Sequence, residues 1–347
     1  MAKTSTTTKK RATKKTSKSP ASRKPAQPKK TVSAETAVVQ TTLSPVPDVQ
    51  TVQKAVQDGK KTDPETALVQ KRRVVNDLFQ RGLAAHQAGQ IDDAIRLYSA
   101  ALRQNQDQPD VWNNLGVALR RSKRFAAALI AYRRAADLRP ENAGLWSNMG
   151  NCLREMMRFD EALAAHKKAI ELDDTIKSHT FNTGLVYRDL NKFSEALGYF
   201  NRALAMDPEY VDANWDSALA HLALGDYAKG WAGYETRRQL ADNPIRPLDS
   251  APEWDGKGDL RGKRLLLRAE QGFGDMIQFA RFIPLVAKRA AHIIVECRKE
   301  LMPIMRTVSG VGAVVEKGRA LPEFDLHVPL LSLPHVLGIG EADLKKI

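Results

Sequence analysis

Cysteine is nearly absent: two residues in 347, Cys152 and Cys297, far apart and with no metal-ligand spacing around either. That excludes a disulfide framework and a zinc cluster, and both thiols read as buried and reduced, which makes the cytoplasm the expected compartment. No apolar run reaches the length of a membrane span, and no apolar signal core follows Met1. Acid is missing where base is plentiful. Residues 1–40 hold eleven Lys and Arg against the single acid Glu35, so this stretch carries +10 of the chain's net +14. Large apolar residues are scarce there too, so it cannot bury enough surface to offset its ordering entropy and is predicted to be a disordered basic leader spanning 1–65. No aromatic side chain interleaves its lysines, which leaves nothing to stack on bases. Nucleic acid is therefore not expected as a partner beyond weak, salt-sensitive contacts of the tail. The same stretch is basic, hydroxyl-rich and poor in acids, as targeting peptides are, but lysine outnumbers arginine and no amphipathic stripe is visible.

What the chain does have is a period. Gly82, Gly116, Gly150 and Gly184 stand 34 residues apart, with Ala218 next in the series. Nine residues after each come Ile91, Phe125, Phe159, Phe193 and Tyr227; sixteen after come Tyr98, Tyr132, His166, Phe200 and Tyr234. Small residues recur twelve after, from Ala94 to Gly230, and nineteen after, from Ala101 to Ala203, where Arg237 takes the fifth place. A fixed period of this length means stacked copies of one helical hairpin, none able to bury its apolar face alone. The small residues let two helices approach, and the aromatics fill the space between them. Gly89 and Gly225 mark the turn inside the first and last copies, with Lys123, Met157 and Asn191 in the same place between them. Acids such as Asp92, Asp93, Asp160, Glu161 and Glu195 open the second helices, at the positive end of the helix dipole.

Trp112, Leu115 and Gly116, with Pro140 and Pro208 at the repeat ends, make this pattern resemble a tetratricopeptide-repeat array of about five repeats over 66–242. The fold class expected is mainly α: a repeat solenoid followed by a partial α/β, Rossmann-like lobe. Two residues before each repeat glycine stand Gln80, Asn114, Asn148, Asn182 and Asp216. A carboxamide donates and accepts at once, so such a ladder suits an extended polypeptide backbone in the concave face of the array. Arg120, Arg154 and Arg188, four after each glycine, are either receivers for acidic side chains of that ligand or a solvated rim.

Prolines 244, 247 and 252 end the helical pattern and place a linker at 243–261. From Gly262 the pattern changes class. Apolar runs at 264–268, 292–296, 312–316 and 324–328 alternate with helical stretches at 276–289 and 299–307, which predicts a doubly wound α/β unit. Ligands of such sheets bind at the carboxyl ends of the strands, where Glu270, Gln271, Gly272, Phe273, Gly274 and Asp275 form the first strand–helix loop. From the residues alone this is either an anion- or alkoxide-binding loop or an ordinary turn in which Asp275 caps the helix.

The motifs Trp231-x-Gly233-Tyr234-Glu235-x-Arg237, Pro252-x-Trp254-Asp255-Gly256 and Phe324-Asp325-Leu326-His327-x-Pro329 resemble a bacterial family. In it a tetratricopeptide array precedes a two-lobed glycosyltransferase domain, like that of O-GlcNAc transferases and heptosyltransferases. The resemblance implies sugar transfer from a nucleotide-sugar donor to Ser or Thr of a protein acceptor. Asp275 would be the general base, with Gln271, Gly272 and Gly274 as acceptor-loop residues. Asparagines at the place of Asn114, Asn148 and Asn182 bind peptide in that family. Residues 262–347 correspond to the first part of one lobe, so no donor-binding residues carry over and no cofactor is expected on this chain itself. His327 falls in a family motif but reads as a buried strand-end histidine. Three readings stay open: a protein-directed transferase, a non-catalytic adaptor with a relic transferase segment, and a polyanion-binding scaffold driven by the tail.

Overall fold

The computed structural model describes residues 64–240, 248, 250–270, 272–290 and 292–346. The basic leader, Gln271 and much of the proline-rich stretch after 240 lie outside the described residues.

Ten helices pair as five consecutive antiparallel hairpins. The first helices of each are α1 (Pro64–Gln87), α3 (Pro109–Arg121), α5 (Ala143–Glu155), α7 (Lys177–Asp189) and α9 (Val211–Ala223). Their partners are α2 (Ile91–Gln104), α4 (Phe125–Leu138), α6 (Phe159–Leu172), α8 (Phe193–Met206) and α10 (Tyr227–Tyr234). The repeat glycines are required by contact. A Cβ on Gly116 would sit 2.6 Å from the Tyr132 ring, and Gly82, Gly150 and Gly184 meet Tyr98, His166 and Phe200 in the same way. In the fifth hairpin the roles are exchanged, with Ala218 on the first helix and Gly233 facing it on the second.

Each first helix stops on a residue in the left-handed region: Gly89, Lys123, Met157, Asn191 and Gly225, with φ between 58° and 80°. The amides of that residue and of the next fold back onto the last turn, as Lys123 N does on the Arg120 carbonyl (2.9 Å) and Arg124 N on that of Leu119 (2.8 Å). These bonds satisfy carbonyls that the helix leaves unpaired. At the other end a side-chain N–H ties the helix to the turn before it. Trp112 Nε1 donates to the Gln106 carbonyl (2.7 Å), Trp146 Nε1 to that of Pro140 (2.8 Å), and Asn214 Nδ2 to that of Pro208 (2.9 Å).

A four-stranded, wholly parallel sheet follows: β1 (Arg264–Arg268), β2 (His292–Cys297), β3 (Val311–Glu316) and β4 (Leu326–Pro329), in the order β3-β2-β1-β4. Leu265, Leu266 and Leu267 are buried one after another, as a central parallel strand requires. The helices between strands are shorter than the sequence suggested. Where one helix was expected over 276–289, α11 (Phe273–Ala280) and α12 (Ile283–Ala287) are separated, with Pro284 in the first turn of the second. A proline there lacks the N–H that would continue the first helix. Likewise the stretch at 299–307 is a 3-10 turn, Lys299–Leu301, and the single turn α13 (Met302–Met305) containing Pro303. The last strand lies two residues later than expected. Phe324 and Asp325 precede it, and the Asp325 carboxylate receives the Arg264 backbone N–H at 2.7 Å. Two short helices, α14 (Leu333–Val336) and α15 (Glu341–Leu344), come after β4.

Residues 250–261, expected within a linker, pack on this unit. Trp254 and Leu260 belong to its core, and Glu253 bridges His327 in parallel along the outer edge of β4. His327 is buried, as expected, and its imidazole is pushed down by burial. Cys152 and Cys297 are both buried and unpaired, and burial raises each thiol to about 11, which leaves them inert.

Candidate functional site

The amide ladder and the arginines fall on the face formed by the first helices, and the hairpins use them to hold one another. Asn148 Nδ2 donates to Asn113 Oδ1 (2.9 Å), 35 residues back. Asn182 Nδ2 reaches Ser147 Oγ (3.4 Å) at the same offset. Asn114 instead donates to the Asp110 carbonyl of its own helix (2.9 Å). The three amides therefore do not present an open ladder: Asn114 and Asn182 are 0% and 4% exposed, and only Asn148 is partly accessible. Its held nitrogen fixes the flip of the carboxamide, leaving Oδ1 and one N–H for a ligand.

The arginines are paired forward. Arg120 meets Glu155 at 2.6 Å, Arg154 meets Asp189 at 3.7 Å, and Arg188 meets both Asp189 (2.9 Å) and Asp216 (2.5 Å). Each guanidinium thus faces a carboxylate of the next hairpin, and the face carries less positive charge than its arginines suggest. Asp216 stands at the amide position of the fifth hairpin. Burial pushes its carboxyl up, against the pull of Arg188. The carboxylate partners were missed in the sequence, although Glu155 and Asp189 follow Arg154 and Arg188 at the same period.

Two buried imidazoles sit between the third and fourth hairpins. His166 takes the place of an aromatic ring against Gly150, and His179 opens the next first helix. Burial, then Arg154 and His179, push His166 down to about 3; burial also lowers His179.

The second constellation lies at the carboxyl end of β1. Gly272, at φ 61°, is the residue that precedes α11, so Asp275 lies inside the first turn of the helix and not at its cap, as one sequence reading had it. The Gly272 backbone runs beside the Asp275 carboxylate, where a Cβ would meet Oδ2 at 2.9 Å. Gly274 is exposed, with open space around it. Tyr234, from the last hairpin, stacks on Phe279 of α11, and burial, against the pull of Arg237, raises its phenol to about 12. The structure therefore brings Asp275, Gly272 and Gly274 together with the end of the array. The loop is tied further by Glu270, whose carboxylate is held by Arg237 at 2.6 and 2.7 Å. Neither residue was singled out as functional from the sequence, though Arg237 breaks a series of alanines.

Comparison with known proteins defines the class of the helical part. Residues 79–143 and 141–209 each match a family model described as tetratricopeptide repeat. The matched hairpins are thus tetratricopeptide repeats, and such repeats indicate protein–protein interaction. Protein FlbA of Caulobacter vibrioides is 45% identical over 65 residues, which cover 18% of this chain and 11% of FlbA, so the match spans about a tenth of that relative. Similar solved structures include pilF of Pseudomonas aeruginosa, 23% identical over 49% of this chain and 77% of its own, with a TM-score of 0.44. MamA is 18% identical over 46% and 92%, with a TM-score of 0.41. YrrB, described as a TPR protein with an unusual peptide-binding site, is 17% identical over 55% and 92%, with a TM-score of 0.40. No helix among the described residues is long and apolar enough to cross a membrane.

Proposed function

We propose that the array holds an extended polypeptide along its concave face and that the α/β segment is part of a glycosyltransferase-like, Rossmann-like lobe acting on Ser or Thr of that polypeptide in the cytoplasm. The observation that carries this reading is the stacking of Tyr234, at the end of the last hairpin, on Phe279 of α11, the helix whose first turn holds Asp275. A ligand seated on the repeats would then have its hydroxyl delivered to a carboxylate able to take its proton, while a nucleotide-sugar donor supplies the sugar. Parallel-strand order β3-β2-β1-β4 and the glycines at 272 and 274 suit a lobe of this type. On the array, Asn148 is the amide with atoms left for a peptide backbone; Asn114, Asn182 and the arginines would act by holding the groove in shape.

The test pairs two measurements on the same protein: binding of a labelled Ser/Thr-rich peptide pool, and transfer of radiolabelled sugar to it from a nucleotide-sugar donor. The transferase predicts transfer that Asp275→Asn abolishes with peptide binding kept. The adaptor reading, favoured by the engagement of most ladder residues between repeats, predicts peptide binding with no transfer by the unaltered chain. Asn148→Ala is expected to weaken peptide binding about tenfold, the loss of one or two hydrogen bonds, with helical content unchanged. Unchanged affinity would remove the ladder from the account.

A further inference from the structure

Nineteen residues after each repeat glycine stand Ala101, Ala135, Ala169 and Ala203, all fully buried within their hairpins. Arg237 is next in that series. It is also buried, at 7%, but outside the helix: α10 ends at Tyr234 after 8 residues, where α8 runs 14, and Arg237 lies in the 3-10 turn Glu235–Gln239. All of its guanidinium nitrogens are engaged. Nε and Nη2 grip the two Glu270 oxygens, Nη2 also donates to Ser332 Oγ (2.8 Å), and Nη1 donates to Glu235 (2.7 Å) and to the Tyr234 carbonyl (3.3 Å). The Ser332 hydroxyl closes the circuit by donating to Glu235 (2.9 Å). Glu270 belongs to the loop after β1, and Ser332 to the turn after β4. Around this cluster Trp231 meets Phe279 and Phe282 edge-on, and Tyr234 stacks on Phe279 at 5.9 Å. From the end of β3, Lys317 Nζ donates to the Ala269 and Glu270 carbonyls at 3.1 and 3.2 Å.

A charge pair this dry adds little net stability over an apolar pair of the same size; what its two-pronged geometry supplies is direction. We propose that Arg237 and Glu270 are positioning residues that fix the β1–α11 loop at one register against the last hairpin, so that array and lobe move and unfold as one body. The fifth hairpin is in this sense a coupling and not a ligand-holding repeat. For Asp275 the proposal rests on the reading of this loop as the working end of the lobe; for the lock itself it does not.

Hydrogen exchange of the whole chain, followed peptide by peptide, tests it without substrate. In the unaltered protein, peptides of β1–β2 and of the first four hairpins lose protection at the same urea concentration. Arg237→Met leaves Glu270 buried and unpaired, and the peptides over 264–297 exchange at least tenfold faster while those of 91–206 do not change. Arg237→Met combined with Glu270→Leu returns protection to the strands but leaves 269–275 fast, which separates orientation from stability. Two unlinked transitions in the unaltered chain, or a loop as slow in the double variant as in the original, would overturn the lock. Neither outcome depends on peptide binding or sugar transfer, so the transferase reading and the lock fail separately.

Discussion

Met157 and Lys123 hold φ near 60°, where an L side chain crowds its own carbonyl and glycine does not. Met157→Gly is expected to raise unfolding stability by about 1 kcal/mol in urea titrations, since the strain removed exceeds the added chain entropy. The opposite change at a repeat glycine is harmful: Gly116→Ala drives a methyl into the buried Tyr132 ring and costs about 1–3 kcal/mol. His166 sets an acid response. Unfolded, its imidazole titrates near 6.5; folded, burial holds it near 3. The unfolded chain therefore binds more protons between those values, so stability is full above about pH 6.5 and falls by about 1.4 kcal/mol per pH unit below it. His166→Phe, which copies Phe200 of the next hairpin, should flatten the change of urea midpoint between pH 7 and pH 5. The pairing of each repeat glycine with an aromatic was legible because their sixteen-residue offset never varies. What each asparagine donates to was not, because the acceptors Asn113 and Ser147 differ from hairpin to hairpin and only folding sets them opposite Asn148 and Asn182.

The helices of the array declared themselves through period, turn residue and proline; those between the two ends run 13 or 14 residues, near the dozen expected, whereas the first runs 24 and the last 8. Their ends are held by devices that repeat as faithfully as the core. Trp146→Phe keeps the ring and removes the N–H to the Pro140 carbonyl, so thermal unfolding is expected to show a loss of about 1 kcal/mol with the helices intact. In the α/β segment the strands were legible as short apolar runs, whereas the helices were overdrawn. Apolar spacing continues through Pro284 and Pro303, and the period alone gives no weight to the missing N–H that breaks the hydrogen-bond ladder there. Trp254 was hidden for a similar reason: the prolines around it suggested a linker, yet its indole lies in the core of the sheet unit, with Nε1 donating to the Gly258 carbonyl at 3.1 Å.

For the molecule as a whole, charge is divided between two regions: +10 of the +14 lies within residues 1–40. Heparin retention is expected to depend on that stretch and to fall steeply with salt, and removing it should abolish retention while leaving peptide affinity unchanged. The joint between array and sheet was the least legible feature, since Arg237 finds its partners 33 and 95 residues further along the chain. No local pattern reports a contact of that span, and the one visible sign was a large cation where four alanines stand. That substitution also fixes where the solenoid can lengthen. A hairpin built after the fifth would need the buried alanine that Arg237 replaces and the surface that Trp231 and Tyr234 give to the sheet. A duplicated 34-residue unit spliced between the second and third hairpins meets neither obstacle, and the Arg120–Glu155 pair at that junction has a counterpart at the next one in Arg154–Asp189. Growth by tandem duplication would thus push the amino-terminal end outward while the anchored end keeps its seat.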